Sequence, residues 1–139
     1  MTAAEEAAML RVVHRYAHGL DDRDIAAVLS CFDPDARIEY DHGAIILSGH
    51  DALAAYLAMA QGSPPMHFFS NFLAEPRVGH VAARASALIS VMTGPTTVKV
   101  RGVTYRFLFQ GEGDSWMITH LRHCPQWTLD AAAALSAPD

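Results

Sequence analysis

The feature that most constrains this chain is a change of hydrophobic period near residue 66. Before it, apolar residues recur at spacings of three and four, which predicts helices. After it come long runs rich in β-branched and aromatic residues, which predict strands. The four runs, separated by turns, are Met66–Glu75, Val81–Thr93, Thr96–Gln110 and Ser115–Trp127. Helices followed by an antiparallel meander predict an α+β fold, with helices covering one face of a curved sheet.

The first two helices begin at recognisable caps. Thr2 and Glu5 form a capping-box pattern at the start of a helix predicted from Ala3 to Leu20. The acidic segment Asp21–Asp24 supplies the N-cap of a second, shorter helix, and Pro34 is expected to stop it. The apolar positions of this second helix are Ile25, Val28, Leu29 and Phe32.

A hairpin separates these helices from a third one. Two short strands, Arg37–Asp41 and Ala44–Leu47, flank a tight turn at His42-Gly43. A second capping-box-like pattern at Ser48–Asp51 then starts a helix with Leu53, Tyr56, Leu57 and Ala60 at helical spacing.

Length and composition indicate one packed domain. The chain has 139 residues, is 51% hydrophobic and has a mean hydropathy of +0.12, so we expect a single domain over 1–139 that needs no disulfide or structural metal. Its core is expected at about 5–127, and the Ala-rich tail within 128–139 is predicted to be weakly helical from Asp130 onward.

Charge and missing motifs restrict the partners. Ten basic and fifteen acidic residues give a net charge of −5, which disfavours nucleic acid and anionic membranes. Lys99 is the only lysine and no nucleotide-binding pattern is present, so we expect no cofactor and a small-molecule partner. The isolated Cys31 and Cys124, an acidic start and the lack of a long apolar run predict a cytoplasmic protein without a membrane segment.

His67 is the first candidate for chemistry. In a strand it shares one face with Phe69, Asn71 and Leu73, so a titratable ring lies among mainly apolar neighbours. If that face lines a cavity, burial favours a neutral ring that can take a proton near pH 7. The alternative is a hydrogen-bonded core histidine.

Asp21 ends the apolar face of the first helix. A carboxylate there could accept the second N–H of a histidine and fix its tautomer. The alternative is helix capping, shared with Asp22 and Asp24. Tyr40 and Tyr105 fall on apolar strand faces, where packing is the alternative to a functional role.

The last strand does not predict a metal site. His120, Arg122 and Cys124 share one face while His123 lies on the other, so the two histidines cannot chelate from a regular strand. Five other histidines are predicted to be solvated: His14, His18, His42, His50 and His80.

Several short motifs together resemble the SnoaL-like branch of the nuclear-transport-factor-2-like superfamily. They are Val12–Asp24, Phe32–Tyr40, Ser48–His50, His67–Asn71 and Asp114–Ile118, and the resemblance covers roughly residues 5–127. It implies a cone of three helices against a strongly curved mixed sheet that encloses an apolar pocket.

The resemblance also implies a site. Dehydratases and dehydrochlorinases of the superfamily use an Asp–His dyad, and Asp21 and His67 match its motif positions. Tyr16 and Tyr40 match pocket tyrosines of relatives. The remaining residues expected to bind substrate are Tyr56, Phe69, Asn71, Tyr105 and Arg122.

Some residues of this chain differ from those of the superfamily, which limits the activities that the resemblance implies. Ketosteroid isomerases place carboxylic acids where this chain has Tyr40 and Tyr105, which disfavours steroid isomerisation. An arginine that many relatives carry corresponds to Leu121, and Arg122 lies one step away.

The expected function is therefore a cofactor-independent lyase (dehydratase-like) or isomerase acting on a small, largely apolar or cyclic substrate. The alternative is a non-catalytic ligand-binding or assembly domain, like the β subunits of ring-hydroxylating dioxygenases. Relatives commonly pair through the outer face of the sheet, so a homodimer is expected.

Overall fold

The computed structural model describes residues 1–134 and 136. Its helices are α1 (Ala3–Asp21), α2 (Ile25–Leu29) and α3 (Gly49–Ala58). Its strands are β1 (Phe32–Tyr40), β2 (Ile45–Ser48), β3 (Met66–Arg77), β4 (His80–Gly94), β5 (Thr97–Glu112) and β6 (Ser115–Ala132). No helix in these residues is long and apolar enough to span a bilayer.

The six strands form one curved, open sheet in the order β2-β1-β6-β5-β4-β3. The long strands β3 to β6 make an antiparallel meander, and β1 joins β6 in parallel. The predicted α+β class, with a mixed curved sheet and three helices, is confirmed.

The core lies between α1 and the concave face of the sheet. Alternate residues of β5 point into it, and all are buried: Val103, Tyr105, Phe107 and Phe109. From α1 the spacing of three and four brings Met9, Val13 and Tyr16 onto the same core, as the periodicity predicts.

The cap of α1 is confirmed. The Thr2 hydroxyl accepts from the Glu5 N–H at 3.1 Å, and the Glu5 carboxylate accepts from the Thr2 N–H at 2.8 Å. The Asp24 carboxylate caps α2 by accepting from the Ala27 N–H at 3.0 Å.

The predicted end of α2 is wrong. The helix ends at Leu29, Phe32 already belongs to β1, and Pro34 lies inside that strand. Parallel pairing draws Phe32 into the sheet opposite Ile118, and the pairing is interrupted between Phe32 and Arg37. This irregular stretch accommodates a proline, which cannot donate a ladder hydrogen bond.

Two further boundaries differ. Ser48 is the last residue of β2, where it pairs with Arg37, and its side chain makes no capping hydrogen bond to α3. The helix α3 ends before Ala60. The predicted helical tail is wrong through Ala132, because β6 continues there and pairs with β5 as far as Thr97. Residues 135 and 137–139 lie outside the described part of the chain.

Leu53→Ala should destabilise the protein by about 2–5 kcal/mol, because Leu53 is wholly buried where α3 packs on β1 and the truncation leaves a cavity. The matched change Leu73→Ala removes the same atoms from a side chain that is 42% exposed and should cost less than about 1 kcal/mol. Urea unfolding of both variants measures the difference; equal midpoints would contradict this description of the core.

Candidate active site

A cavity of about 440 Å³ lies between the helices and the concave face of the sheet. Apolar side chains from α1, α2, α3 and β4 form much of its wall, among them Leu20, Ile25, Val28, Leu57 and Ile89. The polar groups lining it are Tyr16, Tyr40, Tyr56, Tyr105, His67, His123, Arg23, Arg101 and Asp41. The expected pocket is therefore present, and nine of the residues that line it carry polar groups.

His67 is held by Asp21. The His67 Nδ1 lies 2.6 Å from the Asp21 Oδ1, and the His67 backbone N–H lies 3.1 Å from both carboxylate oxygens. A carboxylate only accepts, so Nδ1 carries a proton and Nε2 of the neutral ring has a free lone pair. His67 lines the cavity and Asp21 does not, so Asp21 supports the ring from behind.

The environment keeps this ring neutral near pH 7. The His67 side chain is only 7% exposed, against 21% for Asp21. Burial lowers the pKa of His67 below its ordinary 6.5, and the hydrogen bond and charge of Asp21 oppose that shift without cancelling it.

The fold brings these two residues together because α1 packs against β3. Asp21 is the last residue of α1 and His67 is the second residue of β3. The capping alternative for Asp21 is wrong, since Asp24 caps α2 and the Asp21 carboxylate binds His67 instead.

Three buried tyrosines surround the cavity. The hydroxyls of Tyr16 and Tyr40 are 2.8 Å apart. One of their two protons forms this bond, and the other has no protein acceptor among the described residues. Burial raises the pKa of Tyr16, Tyr40 and Tyr105, so all three stay protonated and able to donate. Tyr56 stacks on Tyr40 with ring centroids 5.3 Å apart.

His123 is the principal residue that the sequence prediction missed. It is buried, and its ring contacts those of Tyr40 and Tyr105 edge-on, each with centroids 5.3 Å apart. Its Nδ1 accepts from the Asp41 backbone N–H at 3.2 Å. The signal in the sequence is strand alternation, which places His123 on the face of β6 opposite to that of His120 and Arg122.

Phe69 and Asn71 lie outside the cavity wall. Phe69 packs behind it, parallel to His67 and 4.8 Å from the Tyr105 ring centre. Asn71 has a left-handed backbone (φ 56°) within a break in the pairing of β3 with β4, and its side chain is exposed. Beyond this break Phe72 is more buried than Leu73, so the prediction that Asn71 and Leu73 share the His67 face is wrong.

Arg122 also lies away from the cavity and is not among the residues that line it, although the sequence predicts that it binds substrate. It lies on the outer side of β6, where Nη1 is 3.7 Å from a carboxylate oxygen of Glu39 and Nη2 donates to the His42 carbonyl at 3.1 Å. Glu39 is buried there and also contacts His120 and Arg37. Side chains alternate between the two faces of a strand, so Arg122 points outward and the next residue, His123, points inward.

Sequence comparison identifies the fold family. The profile of the SnoaL-like domain matches residues 1–122. The chain belongs to the SnoaL-like family. No curated protein matches the SnoaL-like chain significantly.

In the part of this protein that the structure describes, no three His, Cys, Asp or Glu side chains are grouped so as to hold a metal ion.

Solved structures resemble this SnoaL-like protein over nearly their whole length. A hexachlorocyclohexane dehydrochlorinase from Novosphingobium barchaimii has a TM-score of 0.83 at 15% identity, covering 98% of this chain and 96% of its own. A scytalone dehydratase-like protein from Novosphingobium aromaticivorans has a TM-score of 0.80 at 17% identity, covering 97% and 95%. ActVI-ORFA from Streptomyces coelicolor has a TM-score of 0.74 at 14% identity, covering 86% and 95%. Identities this low establish a shared fold only.

Proposed function

We propose that this SnoaL-like protein is a cofactor-independent enzyme that removes a proton from carbon in a small, largely apolar or cyclic substrate. The reaction is an elimination, as in a dehydratase, or an isomerisation. The observation that carries the proposal is the Asp21–His67 hydrogen bond, which leaves the His67 Nε2 unprotonated beside an apolar cavity.

His67 is the proposed base. Its lowered pKa keeps the lone pair available near neutrality, where a general base works best. When the ring takes a proton, the Asp21 carboxylate stabilises the imidazolium and holds the ring in place. Asp21 thus acts through His67.

The tyrosine pair is the proposed hydrogen-bond donor. The O–H that Tyr16 and Tyr40 leave unused can donate to a carbonyl oxygen or to a departing group. Tyr56 and Tyr105 would also contact the substrate, since both line the same cavity.

The alternative is a ligand-binding or assembly domain without catalysis. Two observations favour the enzyme: the cavity is open rather than filled by Phe and Leu side chains, and the two candidate residues are in hydrogen-bond contact. Two similar structures carry names that describe eliminations, a dehydrochlorinase and a dehydratase-like protein, which supports the same reaction class here.

A carbon-acid exchange experiment tests the base without knowledge of the substrate. In D₂O the wild-type protein should accelerate loss of the α-proton NMR signals of some members of a panel of small cyclic ketones. His67→Ala should reduce this acceleration by about 10²–10⁴-fold, because the base is lost. Asp21→Asn should reduce it by less, and the double variant should lose little more than His67→Ala alone, because the two residues act as a unit.

The matched control is His18→Ala, which removes an exposed imidazole from α1 and should leave exchange unchanged. A wild-type protein no faster than His67→Ala across the panel, or losses that simply multiply in the double variant, would contradict the proposed role of the pair.

We also propose that the protein is a cytoplasmic homodimer that pairs through the outer face of its sheet. Phe68, Leu88 and Trp127 are each about half exposed and lie side by side across β3 to β6, since Phe68 pairs with Leu88 and Gly102 of β5 lies between Leu88 and Trp127. Such an exposed apolar row favours association. Free Cys31 and Cys124 thiols suit a reducing compartment.

Light scattering at micromolar concentration should give twice the chain mass of 15.1 kDa. Leu88→Glu places a charge in the middle of the row and should halve that mass, whereas Val78→Glu, at a fully exposed turn, should not change it. A wild-type monomer would contradict the dimer.

A further inference from the structure

The cavity contains a second histidine that the proposed reaction leaves without a role. His123 is 7% exposed and lies between the rings of Tyr40 and Tyr105. The sequence comparison and the similar structures assign it nothing. Buried histidines with one fixed ring nitrogen are suited to present the other nitrogen to a ligand.

The hydrogen bond from Asp41 fixes the tautomer of His123. Its Nδ1 accepts from the Asp41 backbone N–H, so that nitrogen has no proton and the neutral ring carries its only proton on Nε2. His67 is the opposite case, with the proton on Nδ1 and the lone pair on Nε2. Both histidines line the cavity, so its wall contains one ring that can accept a proton at Nε2 and one that carries its proton on Nε2.

The surroundings of His123 favour its neutral form. The charged and titratable groups around it are the Asp41 carboxylate (Oδ1 3.8 Å from Nδ1), Arg101, His67, Tyr40 and Tyr105. Burial lowers its pKa below 6.5; Arg101 and His67 act in the same direction, and Asp41 opposes them. A neutral imidazole can polarise a carbonyl through its N–H, as is known for triosephosphate isomerase.

We propose that His123 is a catalytic hydrogen-bond donor whose Nε2–H binds the carbonyl oxygen of the substrate. This rests on the proposed function, and it narrows the substrate to a carbonyl compound with a C–H bond α to the carbonyl. Tyr105 is a second donor for the same oxygen, because its hydroxyl has no protein partner among the described residues and its ring touches that of His123.

The electron flow then balances within the cavity. The α C–H bond breaks and its proton goes to the His67 Nε2; the electron pair forms a C=C bond, and the carbonyl π pair moves onto oxygen. The His123 N–H stabilises this negative oxygen without transferring its proton, which would leave an unfavourable imidazolate. The enolate then expels a β-hydroxyl, protonated to water by the His67 imidazolium. In a substrate with a β,γ C=C bond it is instead a dienolate, which the His67 imidazolium reprotonates at the γ carbon.

The first test reads the tautomers directly in the wild-type protein. ¹⁵N-labelled histidine NMR at neutral pH should show His123 protonated on Nε2 only and His67 on Nδ1 only, with signals assigned from His123→Phe and His67→Phe. A His123 that is cationic, or protonated on Nδ1, would overturn the inference. The tautomers are read in the wild-type protein, and the two variants serve only to assign the signals. Selective loss of one histidine signal in either variant is enough for the assignment.

The second test measures polarisation of a bound carbonyl. The C=O stretch of ¹³C-labelled tetralone, a bicyclic aromatic ketone, should fall in frequency when it binds the wild-type protein. The shift should be lost in His123→Phe, be partly kept in His123→Gln, which retains an N–H donor, and persist in His67→Phe. A full shift in His123→Phe would overturn the inference.

The exchange assay separates this inference from the proposed function. Removing the donor should slow ketone α-proton exchange by about 10²-fold in His123→Phe, as for loss of one oxyanion-hole donor. Slow exchange in His67→Ala with normal exchange in His123→Phe would overturn the role of His123 alone. Normal exchange in His67→Ala would overturn the proposed base, whatever the tautomer of His123.

Discussion

The site depends on the hydrogen bond between the last residue of α1 and the second residue of β3. Asp21 accepts from both the ring and the backbone of His67, so the carboxylate fixes the position of the strand as well as the tautomer of the ring. The negative end of the α1 dipole disfavours a carboxylate at this position, and the two N–H groups of His67 offset that cost. The same contact that joins helix to sheet therefore also prepares the candidate base.

The two cavity histidines differ in the group that binds Nδ1, and therefore in the ring nitrogen that carries the proton. A carboxylate on Nδ1 of His67 demands a donor, whereas a backbone N–H on Nδ1 of His123 demands an acceptor. Burial lowers the pKa of both rings, so each ring is neutral near pH 7. The proton is on Nδ1 in His67 and on Nε2 in His123. The wholly buried tyrosines complete this arrangement because their raised pKa values keep them as donors.

The sequence predicts the parts of this structure that depend on local pattern. The period of α1, its capping box and the alternation along β5 are all confirmed. The pairing of Asp21 with His67 came from the family resemblance, because local pattern could not choose among the acidic residues of 21–24 as the helix cap. The tertiary contacts decide, and they assign the cap to Asp24.

The missed features arise from pairing between distant strands. The irregularity at Asn71 depends on the register with β4, and the extension of β6 through Ala132 depends on the length of β5. The paired residues of β4 and β5 are distant in the sequence, so the local pattern does not predict either feature. His123 was placed on the correct face, but the backbone N–H that fixes its tautomer comes from Asp41, eighty-two residues away. Its place in the cavity wall therefore depends on how the strands assemble.

The most direct test of the central claim is an NMR titration of the His67 ring in the wild-type protein and in Asp21→Asn. Burial lowers the pKa of His67 and the Asp21 carboxylate raises it, so the wild-type value should lie below 6.5 and the variant value lower still. A pKa that is unchanged or higher in Asp21→Asn would show that the carboxylate does not stabilise the charged ring and would contradict the account.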